Sequence, residues 1–115
     1  MLSKRNSMRL SALLLSFFGA LSLVALPVRS QTGGEALYKT KCAVCHGADG
    51  KGETTVGKTN KVRDFASADV QKQSDADLTG IITNGKNKMP AYGKSLKPDQ
   101  VKDLVAYVRS FGKKS

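Results

Sequence analysis

Residues 42–46 read Cys42-Ala43-Val44-Cys45-His46, and most of what the sequence says follows from them. Two thiols three positions apart, with an imidazole directly after the second, form the attachment signature of a c-type haem. The thiols can add to the two vinyl groups on one edge of a porphyrin, and His46 then lies under the iron as an axial ligand. The chain of 115 residues has no other cysteine and no other histidine. The sequence therefore predicts one covalently bound haem c, with its iron.

Three other uses of this motif compete with haem attachment. A disulfide between Cys42 and Cys45 would close a very short loop and gain little stability. A thioredoxin-like redox pair needs strands in a βαβ pattern around it, and no strand pattern of useful length occurs here. A zinc site usually has four ligands, whereas the chain contains only three Cys and His residues. Haem attachment is the favoured interpretation.

Residues 1–30 have the organisation of a secretory signal peptide. Three basic residues precede an apolar run at residues 10–26, and a proline and small residues follow it. Cleavage after Ser30 would leave residues 31–115 as a single domain. The apolar run of 17 residues also allows the alternative of an uncleaved N-terminal membrane anchor. Either way the positive N-terminus stays in the cytoplasm, which predicts a periplasmic location for the domain in a bacterium.

The predicted domain is moderately basic. Of the 19 Lys and Arg residues, 15 follow residue 30, as do all 9 Asp and Glu residues, which gives a net charge of +6. These positive residues are scattered and aromatic residues are few, so nucleic-acid binding is not expected. A basic exterior favours redox protein partners with acidic docking surfaces. We expect a monomer, with no stable membrane insertion if the signal peptide is cleaved.

Helical patterns alternate with turn-rich loops downstream of the signal segment. Four segments carry helix signals: from about Gly34 to the cysteines, residues 66–72, residues 75–84 after a Ser74 cap, and residues 98–112. Residues 47–61 predict a long loop without structure of its own, of the kind that wraps a ligand. The sequence thus predicts an all-α domain with about four short helices and long loops wrapped around one haem.

The second axial ligand is proposed by elimination. Met89 is the only methionine downstream of the signal segment, and it lies in a polar loop between two predicted helices. Pro90 restricts the backbone there and could hold the thioether in place. Methionine is more often a filler of core gaps, and Lys86 or Lys88 is a minor alternative ligand at high pH. Thioether ligation would raise the reduction potential and close the iron to substrates.

These residues together resemble the class I cytochrome c family, in particular its small bacterial members. The likeness covers nearly all of residues 31–115. It is carried by Gly34 and Tyr38, the segment Cys42 to Gly47, Asn84-Gly85, Met89-Pro90-Ala91-Tyr92-Gly93, and Leu104 to Val108. The resemblance implies the cytochrome c fold and a one-electron shuttle with one low-spin haem, ligated by His46 and Met89. It also implies that the first and last helices cross at Gly34 and Tyr107, with Tyr38 nearby.

The chain departs from the family pattern in the loop after the motif. Many relatives have a proline there whose carbonyl orients the proximal imidazole, but this chain has none between His46 and Pro90. Thr55 or Val56 lies at about that place. Some backbone carbonyl should accept from the ring of His46, because a ligating histidine nearly always has such a partner. The chain also lacks tryptophan, so other side chains must bind the haem propionates. The candidates are Lys58, Asn60 and Arg63.

Three classes of function are compatible with these features. The leading one is a periplasmic one-electron carrier, not an enzyme, that exchanges electrons through the porphyrin edge near Cys42 and Cys45. The second is a membrane-anchored or fixed haem subunit of a larger oxidase or dehydrogenase complex. The third is a haem enzyme or gas sensor with an open sixth position, which tight binding of carbon monoxide at neutral pH would reveal.

Overall fold

A computed structural model describes residues 24–25 and 32–114. The predicted signal peptide and its cleavage site at Ser30 lie outside the described residues, apart from the exposed Val24 and Ala25. All helices and turns in residues 32–114 surround one core, and this part of the chain contains no β-strand. Among the described residues, no helix has the length and hydropathy needed to cross a bilayer. The all-α prediction is confirmed.

Six α-helices follow one another along residues 32–114. They are α1 (Thr32–Lys41), α2 (Ala43–His46), α3 (Thr55–Thr59), α4 (Ala68–Gln71), α5 (Asp75–Asn84) and α6 (Pro98–Gly112). The four predicted helices correspond to α1, α4, α5 and α6, with ends that differ by a few residues. The structure adds the short helices α2 and α3. The loop predicted for residues 47–61 is wrong at α3, because the Thr54 hydroxyl accepts a hydrogen bond from the amide of Gly57 at 2.9 Å and caps a short helix.

The ends of α5 follow from local hydrogen bonding. The Ser74 hydroxyl accepts from the amide of Asp77 at 3.0 Å, and the Asp77 carboxylate accepts from the amide of Ser74 at 3.2 Å. This reciprocal capping box satisfies two amides that have no partner within the helix. At the other end, Gly85 takes a φ of 75°, a left-handed conformation that glycine adopts without strain. The predicted start and stop of this helix are confirmed.

The N-terminal and C-terminal helices cross at Gly34. A Cβ atom there would lie 2.3 Å from the carbonyl oxygen of Asp103 in α6, so only glycine allows this approach. One turn later, Tyr38 is 1% exposed, and its ring lies 5.0 Å from that of Tyr107. The crossing predicted at Gly34 and Tyr107, with Tyr38 nearby, is confirmed. The α6 side of the core is formed by Val101, Leu104, Val105, Val108 and Phe111.

The crossing predicts that alanine substitutions at two neighbouring glycines have different effects on the free energy of unfolding. Gly34→Ala is expected to lower the free energy of unfolding of the haem-loaded protein by about 2–3 kcal/mol, because the new methyl forces the helices apart. Gly33→Ala is the matched control, since its Cβ would lie at an ordinary 3.5 Å from the Asp103 carboxylate. That variant should keep or raise the stability by up to about 1 kcal/mol. Urea denaturation measures both, and equal stabilities for the two variants would contradict the crossing.

Candidate functional site

The four predicted site residues line a single cavity. Cys42, Cys45 and His46 reach it from the end of α1 and from α2, and Met89 reaches it from the connection between α5 and α6. Each of the four side chains is partly buried. The fold therefore brings together residues that lie far apart in the sequence. It places two thiols, an imidazole and a thioether at one apolar cavity, and imidazole and thioether are ligands found on haem iron.

The wall of the cavity is apolar and its mouth is basic. Apolar side chains from the loop before α4 and from α4, α5 and α6 form the wall: Val62, Phe65, Val70, Leu78, Ile81, Ile82 and Val108. Of the three candidates for the propionates, Asn60 and Arg63 line the cavity and Lys58 does not. An apolar slot with basic groups at its opening fits a flat porphyrin whose edge carries carboxylates. The residues present thus fit the predicted haem.

Helix α2 is fixed from α3 through Thr54. The Thr54 hydroxyl donates toward the carbonyl oxygens of Val44, at 2.9 Å, and Cys45, at 3.0 Å. Gly57 lets α3 approach closely, since a Cβ there would lie 2.3 Å from the Cys45 carbonyl oxygen. Sequence reasoning missed both residues. Threonine is a common helix N-cap, so a cap signal at Thr54 was available, but the contact with α2 depends on tertiary structure.

The backbone directly after His46 is fixed from α1. The hydroxyl of Tyr38 donates a buried hydrogen bond of 2.6 Å to the carbonyl oxygen of Gly47. Burial raises the pKa of Tyr38 far above its ordinary value, so the hydroxyl stays protonated and donates at every ordinary pH. Together with Thr54, Tyr38 holds the Cys42–His46 segment from both sides.

The His46 ring is held without a hydrogen bond from its buried nitrogen. It stacks on Phe65, with ring centroids 4.4 Å apart and an interplanar angle of 19°. Its Nδ1 atom is buried and has no hydrogen-bond partner within the described part of the chain. The expected carbonyl partner, at Thr55, Val56 or elsewhere, is therefore not found. Burial lowers the pKa of His46, which favours the neutral form that binds metals.

Met89 lies on a turn that is closed by its own backbone. The amide of Lys86 donates to the Met89 carbonyl at 3.2 Å, and the amide of Met89 donates to the Lys86 carbonyl at 2.9 Å. Asn87 between them has a φ of 53°, which asparagine tolerates better than most residues. The Tyr92 hydroxyl donates to the carbonyl of Lys41 at 3.2 Å and joins this loop to the end of α1.

The two cysteines of the motif form no disulfide within residues 32–114. Burial raises the pKa of the Cys42 thiol, and the positive charge of Lys41 opposes this rise. Both thiols line the same cavity as His46. They are therefore placed where a group that enters the cavity would meet them.

The sequence and the fold were compared with known proteins. The sequence model of the family described as "Cytochrome C oxidase, cbb3-type, subunit III" matches residues 29–108. The chain belongs to this family of c-type cytochromes. A cytochrome c6 of Nostoc sp. is 40% identical over 95 residues, which cover 80% of this chain and 79% of that protein. A cytochrome c6 of Gloeothece citriformis is 38% identical over 78 residues, or 65% of this chain and 66% of its own length.

Two further relatives differ in how much of their length is matched. The cbb3-type cytochrome c oxidase subunit FixP of Azorhizobium caulinodans is 35% identical over 80 residues, which cover 69% of this chain but only 26% of FixP. The solved structure of the KustC0563 c-type cytochrome is 39% identical and superimposes with a TM-score of 0.64. That match covers 68% of this chain and 95% of the KustC0563 chain.

Membership of the family confirms the main expectations. The chain is a small class I cytochrome c with the all-α fold of that family, and it carries one covalently bound c-type haem. Its function is electron transport, as in the cytochromes that it matches. The identity of the residues that hold the haem is argued next from the cavity.

Proposed function

We propose that residues 31–115 form a periplasmic one-electron carrier, in which Cys42 and Cys45 hold the haem and His46 and Met89 ligate its iron. The observation that carries this proposal is that these four side chains line one apolar cavity. When bound, the haem supplies a one-electron couple between ferric and ferrous iron. A thioether in the sixth position excludes substrates from the iron, which favours electron transfer over catalysis.

The surrounding elements hold the four side chains before any partner arrives. Thr54 and Tyr38 fix the backbone of the attachment segment, and the turn Lys86–Met89 fixes the backbone of Met89. A ligand set anchored in this way moves little when the charge on the iron changes. Small movement suits a carrier that must accept and release single electrons quickly.

A one-electron titration of the purified holoprotein tests this function. We expect a single reversible one-electron wave whose midpoint potential does not move when carbon monoxide is added. A potential that rises in carbon monoxide would show an open sixth position, and it would favour the gas sensor or haem enzyme over the carrier.

The mouth of the cavity supports redox partners with acidic docking surfaces. Five exposed positive side chains line it: Lys41, Lys61, Arg63, Lys86 and Lys88. Within the described residues, no Asp or Glu lines this cavity. Val44 and Val56, 66% and 41% exposed, lie on α2 and α3 beside the attachment site. An apolar spot with positive charges nearby suits a small interface that releases quickly.

Reversing one of these charges should slow electron transfer to an anion. Lys88→Glu is expected to lower the second-order rate constant for oxidation by ferricyanide by about 3–10-fold at low ionic strength, because electrostatic steering is weakened. The difference should shrink as salt is added. Lys102→Glu is the control, since Lys102 is exposed on α6 and does not line the cavity. Equal losses in both variants, measured by stopped flow, would contradict the docking role of the mouth.

The proposed location depends on processing of the N-terminal segment. Residues 1–30 have the organisation of a signal peptide, and cleavage would release a monomeric domain that begins at Gln31. The intact mass of the exported holoprotein tests this directly. A mass that includes residues 1–30 would favour the membrane-anchored alternative.

A fixed subunit of an oxidase complex is the second candidate function. The family description and the match to FixP favour it, although the chain spans only 26% of FixP. The two candidates differ in assembly. Purification of the native protein as a monomer supports the carrier, whereas stable co-purification with oxidase subunits supports the fixed subunit.

A further inference from the structure

The buried nitrogen of His46 is a polar group at the site that the proposed function leaves unexplained. A neutral imidazole that binds a metal through one nitrogen carries its proton on the other nitrogen. In this chain that other nitrogen, Nδ1, is buried without an acceptor in residues 32–114. A ligating histidine normally donates this proton to a carbonyl or carboxylate, which sets the orientation of its ring. Another contact must set the orientation here.

The face of Phe65 supplies that contact. Its ring is nearly parallel to the imidazole, with the centroids 4.4 Å apart and an angle of 19° between the planes. Flat stacking restricts rotation of the imidazole out of this plane, as a branched aliphatic side chain would not. Stacking of this kind contributes orientation as well as buried area.

Phe65 is itself anchored on several sides. Its amide donates to the carbonyl oxygen of Gly50 at 2.9 Å, and its own carbonyl accepts from the side-chain amide of Gln71 at 2.6 Å. Its ring packs edge-on against Tyr38, at 6.2 Å and 60°, and is tilted against Phe111, at 5.9 Å and 36°. Its backbone and its ring are therefore both fixed, so Phe65 offers the imidazole a rigid face.

We propose that Phe65 is the residue that positions the imidazole of His46, by stacking, in place of a hydrogen bond from Nδ1. The proposal rests on the proposed role of His46 as an iron ligand. It has an electronic consequence, because a hydrogen bond to an acceptor raises the basicity of a ligating imidazole. Without one, His46 donates less charge to the iron, which favours the ferrous state and adds to the effect of Met89.

Three variants of the holoprotein separate positioning from packing. The readout is the pattern of paramagnetically shifted haem-methyl resonances in the oxidised protein, which depends on the plane of the axial imidazole. Phe65→Leu keeps an apolar side chain but removes the flat face, so the pattern should change. Phe65→Tyr keeps the face and should retain the wild-type pattern. Phe111→Leu is the packing control, because Phe111 contacts Phe65 and Tyr38, so this variant should lose stability without changing the pattern.

Two results would overturn the proposal. The first is a Phe65→Leu variant that loses stability as Phe111→Leu does but keeps the wild-type methyl pattern. The second needs no variant, and uses the Nδ1–H resonance of the single histidine in the reduced protein labelled with nitrogen-15 and carbon-13. We expect the shift of an N–H without an acceptor, and a coupling across a hydrogen bond to any carbonyl carbon would contradict us. Wild-type His46 ring protons that lack the shifts of an iron-bound ring would instead refute the proposed function itself.

Discussion

Replacing His46 by alanine is expected to reduce covalently bound haem by at least about tenfold per exported chain. Even mutation of a residue that only orients a metal ligand typically lowers metal affinity or activity by about 10–100-fold. His46 lies in the attachment segment and lines the same cavity as both thiols. Its loss would remove the proposed iron ligand next to the proposed sites of covalent attachment. Haem absorbance on a denaturing gel, divided by the amount of chain on an immunoblot, measures the effect.

Val44→Ala is the control for this variant. Val44 lies between the two cysteines and is 66% exposed, so its side chain contributes little to the cavity wall. Haem loading of this variant should equal that of the wild type. A His46→Ala variant that also carries the wild-type amount of covalently bound haem would show that His46 is not part of the proposed site.

Met89→Ala is expected to leave the haem attached but to change the reduction potential and the ligand binding of the iron. Without the thioether the reduction potential should fall by about 0.1 V or more, within the roughly 0.8 V range that axial ligands span. The vacated position should then bind carbon monoxide or imidazole, which we expect the wild-type protein to exclude. Spectroelectrochemistry with and without added ligand measures both effects.

Ile81→Ala is the control for the methionine. Ile81 lines the same cavity but has no donor atom, so its truncation should open space without changing the ligation. We expect this variant to keep the wild-type spectrum and to exclude carbon monoxide. An unchanged spectrum and potential in Met89→Ala would show that another group is the sixth ligand.

Local sequence signals predicted those parts of the fold that are stabilised locally. The Ser74 cap and the glycine at position 85 mark the ends of α5 in the sequence, and the same residues make the capping contacts in the structure. Pro98 begins α6, whose apolar stripe at helical spacing forms its core face. The motif of Cys42 to His46 likewise predicts the cofactor from local spacing alone. Each of these features depends on residues within a few positions of one another.

Contacts between distant segments could not be predicted in this way. Phe65 has the sequence context of any loop aromatic, and only the fold stacks it on His46. Arg109 is another example, because its guanidinium donates to the carbonyl of Gln71 at 2.8 Å and to the Asp75 carboxylate at 2.9 Å. These bonds tie α6 to the segment beside the cavity wall. Their partners lie more than thirty positions away in the sequence, so no local sequence pattern predicts these bonds.

The missing carbonyl partner of His46 shows how a family pattern can mislead. The sequence lacks the proline of many relatives, and we expected Thr55, Val56 or another carbonyl to take over its role. In the structure, the segment at that place forms α3, where the Thr55 carbonyl accepts from the Thr59 hydroxyl and the Val56 carbonyl from the amide of Asn60, both at 2.9 Å. The Thr54 hydroxyl faces the carbonyls of Val44 and Cys45 instead. The carbonyl that the sequence led us to expect is therefore not placed at Nδ1.

The chemical shift of the Met89 methyl group is the measurement that tests this account most directly. In the reduced holoprotein, a thioether bound to the iron lies over the face of the porphyrin, where the ring current shifts its methyl resonance strongly upfield. Methionine labelled with carbon-13 at the methyl group makes this signal easy to assign, because Met89 is the only methionine after residue 8. We predict a Met89 methyl signal upfield of all other methyl signals of the protein. A signal at the ordinary position of a methionine in a protein core would contradict the account.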